Sequence, residues 1–193
     1  VSLDSIAWDQ LDRAYVRRVS PTDVDRTLEV VERDKEGEAK LTIDVPNGWT
    51  AIWLRLGEKT KIEPLLLKQN VDGTVLYKEP DGEWVGLVIE CKKTLKETNF
   101  SEACDQLKSG VARLELFARF LGIPIRRHKA WIATRDDRAF GPKSTNPMLA
   151  RRQDLVSAYQ ARAVNNCAFT KSLPVEIVLL DGVGYGQTTL AAC

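Results

Sequence analysis

At 193 residues, 44% hydrophobic and 28% charged, the chain has the size and balance of one soluble globular domain with enough apolar residues for a sizeable core. No apolar run approaches the roughly 18–20 residues of a membrane span, and the start carries no signal-peptide pattern. The net charge of +1 neither favours nor opposes a nucleic-acid partner, since such a partner needs only a local basic rim.

Residue counts exclude further classes. His128 is the only histidine, which removes multi-histidine metal sites, and removes histidine-based triads except through that residue. Cys91, Cys104, Cys167 and Cys193 show no CxxC spacing, so structural zinc is disfavoured and free thiols in a reducing cytoplasm are expected. A catalytic metal in this chain has to be hard and oxygen-ligated, Mg²⁺ or Mn²⁺. The chain opens on Val1 and its only Met is Met148, which fits a piece of a longer protein.

In chain order, residues 5–18 set Ile6, Trp8, Leu11, Ala14 and Tyr15 at roughly helical spacing. Ser20-Pro21-Thr22-Asp23 reads as a helix start, followed by a helix to about Asp34 with a stripe of Val24, Leu28 and Val31. Arg33 to Lys40 reads as a solvated loop. Leu41 to Lys92 reads as a β-meander: Leu41–Val45 and Thr50–Leu56 flank Pro46-Asn47-Gly48 as a hairpin, then come strands over Lys61–Gln69, Gly73–Lys78 and Trp84–Lys92. Ser101 is expected to cap a helix to Leu121 with Ala103, Leu107, Val111, Leu114, Ala118 and Leu121 on its apolar face; Gly122 and Pro124 end it. A strand over Lys129–Thr134, a loop over Asp136–Thr145, a helix from Asn146 to about Val164, a strand over Val175–Leu180 and a glycine-rich tail complete the chain.

The stretch WVGLVIECKK, Trp84 to Lys93, carries the chemistry. An apolar strand runs straight into Glu90 and Lys92, which share a face while Cys91 takes the other. Charges at a core edge are costly unless paired or used. The Glu-x-Lys triplet alone means little: about two acid-x-Lys triplets are expected by chance in this composition, and Glu38-Ala39-Lys40 is the other one. Context distinguishes Glu90. If the turn centres on Asp81, facing residues of the Gly73–Lys78 and Trp84–Lys92 strands sum to 162, and Asp72 falls opposite Glu90. Opposed side chains lie about 4.5–5.5 Å apart at Cβ, where two carboxylates repel unless a cation sits between them. Asp72-Gly73 is also a good turn dipeptide. Gln106, one turn into the next helix, stands beside its apolar stripe, where an amide can orient a water or contact a phosphate.

This order, Asp72, hairpin, Glu90-x-Lys92 strand, helix with Gln106, strand 129–134, resembles the PD-(D/E)xK nuclease superfamily. VIECKK followed by ACDQLKSGVARLELFARFLGIP is similar to the nuclease domains of type I restriction subunits and related defence nucleases. The likeness covers about residues 63–134. Val71 stands where the family name has Pro, and Gly110 where relatives with a Gln-x-x-x-Tyr helix have Tyr. The resemblance implies an α/β (α+β-like) fold: a central mixed β-sheet flanked by helices, a restriction-endonuclease-like core with extra N-terminal strands. One domain is expected over 1–193, with an extension over 1–60 and a C-terminal helix and strand over 146–180.

It implies a Mg²⁺- or Mn²⁺-dependent endonuclease of a restriction, defence or DNA-processing type, in the cytoplasm, acting on DNA and not on membranes. Such a chain is compatible with a homodimer or a place in a larger multidomain protein. Asp72, Glu90 and the Cys91 backbone carbonyl would hold the metal, Lys92 would stabilise charge on the attacked phosphate or its water, and Gln106 would assist orientation. The family's first helix often adds an acid; Glu32 is the candidate, with Glu29 pointing further out. Arg126, Arg127, Lys129, Arg151 and Arg152 are candidate nucleic-acid contacts, whereas His128 reads as a surface or edge histidine rather than a catalyst. The alternative is a nuclease-like fold that has lost catalysis and serves as a binding or assembly module.

Overall fold

A computed structural model describes residues 8, 11–34, 37–56, 70–79, 82–137, 140 and 151–191. Its strands are β1 (Val16–Val19), β2 (Thr27–Asp34), β3 (Gly37–Asp44), β4 (Thr50–Leu54), β5 (Gly73–Lys78), β6 (Trp84–Lys92), β7 (Ile125–Thr134), β8 (Ala163–Cys167), β9 (Thr170–Leu179) and β10 (Tyr185–Thr189); its helices are α1 (Glu97–Phe120) and α2 (Gln153–Ala161). The fold is mixed α/β. Seven strands form a mixed sheet in the order β1-β4-β5-β6-β7-β9-β8, and three form a smaller sheet in the order β10-β3-β2.

Alternation along the central strands separates two cores. Trp84 and Val88 of β6, Leu76 of β5 and Ala130 and Ile132 of β7 pack with Ala103, Leu107, Val111 and Leu114 of α1 and Leu155 of α2. Val85, Leu87, Ile89 and Cys91, with Val75, Tyr77, Trp131 and Ala133, face Leu28, Val30, Leu41 and Ile43 of the small sheet. The seven-stranded sheet is thus covered by helices on one face and by the small sheet on the other. Burial on both faces is why β6 reads as a nearly unbroken apolar run rather than an alternating one.

The α1 stripe is buried as its periodicity predicts, but the helix starts at Glu97, a turn before Ser101, with Lys96 at the N-cap and no side-chain cap. The β5–β6 hairpin has the expected register: Lys78 faces Trp84 and Gly73 faces Ile89. The β6–α1–β7 unit puts β6 and β7 side by side and parallel.

The N-terminal third departs from the sequence reading. Val16–Val19 and Thr27–Asp34 are strands, not helices. Val24 of the expected stripe is fully exposed, whereas Leu28 and Val30 are both buried. The working period is therefore two, in a segment of Thr and Val whose branched side chains suit a pleated surface. Ser20–Asp23 is a turn, the Asp23 carboxylate accepting from the Ser20 N–H at 2.7 Å. Of the expected loop over Arg33–Lys40, Arg33 and Asp34 end β2 and Gly37–Lys40 begin β3, paired antiparallel; residues 35–36 lie outside the described residues.

Pro46-Asn47-Gly48 does turn the chain, with φ +81° at Gly48, but β3 and β4 do not pair. They belong to different sheets. Arg26 holds that corner, donating to the Val45 carbonyl at 3.1 Å and the Trp49 carbonyl at 2.8 Å. The late helix ends at Ala161, so Val164 lies in β8, and the glycine-rich tail supplies β10, parallel to β3. Lys61–Gln69 and the start of the late helix at Asn146 lie outside the described residues. No helix among the described residues is long and apolar enough to cross a membrane.

Candidate active site

β5 begins at Gly73 while β6, running the other way, continues past Ile89 to Lys92. Beyond the end of β5 a side chain takes over from the ladder: Asp72 Oδ2 accepts the Cys91 N–H at 2.7 Å. Asp72 thus meets β6 beside Glu90, as the register requires. Two glycines hold it there. A Cβ at Gly73 would lie 2.7 Å from Val30 Cγ2, so only glycine lets β2 approach this closely. A Cβ at Gly110 would lie 2.7 Å from Val71 Cγ1, so α1 presses on the residue preceding Asp72. That contact accounts for glycine where the resembled subfamily has a bulky aromatic.

Glu90 is fully buried. Lys92 Nζ stands 2.8 Å from its Oε1, and Oε2 has no hydrogen-bond partner among the described residues. Burial, reinforced by the Asp72 charge and only partly opposed by Lys92, pushes the Glu90 carboxyl up to about 9. Burial by itself would lower the Lys92 ammonium, but the charge and hydrogen bond of Glu90, then Glu102 and Glu32, outweigh it and raise Lys92. That rise requires an ionised Glu90. Glu90 is the more deeply buried of the two, so the dominant direction in the pair is the upward shift of its carboxyl. Cys91 points into the other core; burial raises its thiol well above the ordinary value, which leaves it inert as a nucleophile.

Gln106 sits where the helix meets the Asp72 segment. Its Nε2 donates to the Asn70 carbonyl at 3.1 Å, and its Oε1 is buried without a hydrogen-bond partner among the described residues. Asn70 repeats the pattern: its amide nitrogen donates to the Leu56 carbonyl, while Oδ1 is buried and unpartnered among the described residues. Glu102, 3.7 Å from Lys92 Nζ, is a site neighbour that the sequence reading does not reach. Its signal is its spacing, four residues before Gln106 on the same helix face. Glu32 also reaches the site electrostatically, raising Glu90, Cys91 and Lys92, though from strand β2 rather than a helix. Glu29 instead binds Lys40 at 2.6 Å.

The candidate nucleic-acid contacts are scattered. β6 and β7 run parallel with Arg127 beside Val85 and Lys92 beside Thr134, so Arg127 lies roughly 16 Å along the sheet from Glu90 at 3.3 Å per residue. Arg127 binds Glu79 at 2.7 Å and Arg126 approaches Glu83 at 3.6 Å. Lys129 donates to the Ala191 carbonyl at 3.2 Å. Arg152 does lie at the site's end of the sheet, 3.8 Å from Glu97 at the start of α1 and 3.1 Å from Asp154. Arg151, next to it, is exposed.

Among the described residues no three His, Cys, Asp or Glu side chains are grouped to hold a metal ion by themselves. A Mg²⁺ ion does not require three, since it keeps several waters and often takes one or two carboxylates together with substrate phosphate. The buried, unpartnered Glu90 Oε2 beside Asp72 fits that smaller donor set. Comparison of the chain with protein-family models, curated proteins and solved structures returns no match.

Proposed function

We propose that the chain is a metal-dependent nuclease that hydrolyses phosphodiester bonds, most simply a DNA endonuclease using Mg²⁺ or Mn²⁺. What supports the reading is Glu90: a carboxylate buried to 0% exposure, with an oxygen lacking a hydrogen-bond donor among the described residues, Asp72 beside it and Lys92 on its own face. A core has no structural use for such an arrangement, because a buried carboxyl with an unsatisfied oxygen costs more than an apolar side chain.

Asp72, Glu90 and the Cys91 carbonyl would hold the cation, which supplies Lewis acidity at the scissile phosphate and an activated water. Lys92 places an ammonium where negative charge grows on the phosphate oxygens. Gln106, its amide nitrogen tied to Asn70, would offer its carbonyl oxygen as a hydrogen-bond acceptor to the attacking water and so fix its direction.

The competing reading, a nuclease-like binding or assembly module without catalysis, has one observation in its favour. Lys92 closes on Glu90 and Asp72 on the Cys91 N–H, so each has a structural partner. Incubating the chain with plasmid, linear DNA and RNA in Mg²⁺, Mn²⁺ or EDTA separates the two. Metal-dependent cleavage is expected, reduced by about 10²–10³-fold in Asp72→Asn and Lys92→Met. The asparagine can still accept from Cys91, so that variant tests charge rather than folding. Retarded but intact DNA in every metal would establish the module, and variants that cut like the parent would overturn the site.

A further inference from the structure

We propose that Glu102 is a positioning residue, which takes over the Lys92 ammonium when Glu90 turns to hold a cation. The inference rests on the metal-site reading above and deepens it. Lys92 Nζ has two carboxylates within reach: Glu90 Oε1 at 2.8 Å and Glu102 Oε2 at 3.7 Å. Without a cation the ammonium lies nearer to Glu90. A cation and an ammonium on one buried carboxylate repel each other, so the first can bind well only if the second finds another counter-charge.

Glu102 is built for that exchange. The Glu90 and Lys92 side chains are 1% and 11% exposed, whereas Glu102 is 50% exposed. It can therefore follow the ammonium without a large change in its own hydration. It stands on α1 four residues before Gln106, which puts the two on one helix face. Other acids at this end of α1 are engaged elsewhere, Glu97 with Arg152 at 3.8 Å and Asp105 with Lys108 at 3.5 Å. On the opposite face of the sheet, Cys91 is buried in the second core, so Lys92 does not turn that way.

Calorimetric titration of the full chain with MnCl₂ tests this without relying on cleavage. Glu102→Gln is expected to weaken Mn²⁺ binding about fivefold, the scale of one partly exposed ion pair. Asp105→Asn, an equally exposed change three residues along the helix, is expected to leave it unaltered. In a Lys92→Met background the Glu102→Gln effect should vanish, because no ammonium remains to be moved. Equal weakening by both single variants, or a Glu102→Gln effect that persists without Lys92, would reduce Glu102 to a diffuse charge or a direct ligand and overturn the inference. If Lys92→Met binds no Mn²⁺, the comparison of Glu102→Gln with Asp105→Asn decides. A parent chain that binds no Mn²⁺ would instead refute the metal-site reading itself, and this inference with it.

Discussion

At one end of the seven-stranded sheet, Glu79 takes Arg127 Nη2 at 2.7 Å, and Glu115 takes Arg119 Nε at 3.3 Å with His128 Nε2 3.0 Å from its other oxygen. At the other end, Glu90 is buried more deeply still, yet has one lysine on one oxygen and no hydrogen-bond donor to the second among the described residues. Among the described residues both ends bury carboxylates, but only the first meets them with guanidinium groups. Planar, always-charged partners suit permanent pairing. Among the described residues a single lysine leaves acceptor capacity of Glu90 unused, and capacity left over is what a ligand can take up. Under the proposed function, the contrast gives structure to one end and chemistry to the other.

The two ends should also respond to pH in opposite senses. Glu90 has a folded value of about 9 against an ordinary 4.5. A raised value contributes stability that is complete below 4.5 and is lost as pH rises through about 9. His128 is shifted down by burial, against the opposing pull of Glu115. A lowered value contributes stability present above the ordinary 6.5 and lost as pH falls.

The largest expected effect lies at the site. In EDTA, Glu90→Gln should match the parent in urea denaturation near pH 5 and exceed it by a few kcal/mol at pH 9, because each tenfold change in an ionisation constant is worth about 1.4 kcal/mol. A pH-independent difference would mean that Glu90 is not held neutral and would erase the contrast between the ends. The next effect lies at the far end. Arg127→Ala leaves Glu79, 5% exposed, without its 2.7 Å donor and should cost about 2 kcal/mol, below the range of a fully buried pair because Arg127 reaches solvent. Adding Glu79→Gln should recover part of the loss, and metal-dependent cleavage should survive both changes. The smallest effect is expected for His128→Gln, which should flatten the loss of stability between pH 7 and pH 5 by about 1 kcal/mol or less. A variant that loses stability on acidification as steeply as the parent would move that pH dependence to another group.

The middle of the chain is legible because its signals are local. An apolar run bounded by Pro80-Asp81-Gly82 forces a hairpin, and one register keeps each apolar set on its own face; the Asp72–Glu90 apposition follows by counting. The α1 stripe at helical spacing is equally local. The N-terminal third misleads because Val24, Leu28 and Val31 fit a helical period while Leu28 and Val30 fit a strand period, and short apolar patterns do not choose between them. Glu102 escapes a sequence reading because its spacing from Gln106 is a weak mark on a half-exposed helical acid; what singles it out is the ammonium across from it.

By itself the sequence determined the β5–β6 register, the helix behind it and the face shared by Glu90 and Lys92, all set by side-chain periodicity and turn chemistry within about fifty residues of chain. The tertiary structure decided what surrounds them. A second sheet, drawn from β2, β3 and the distant β10, closes over the Cys91 face and brings Val30 onto Gly73. Pairings across such separations depend on which surfaces bury one another, a quantity no local period encodes. Glu90 lies on the opposite face, toward α1, and burial there is what turns it from an ordinary acid at the end of a strand into a carboxyl shifted to about 9.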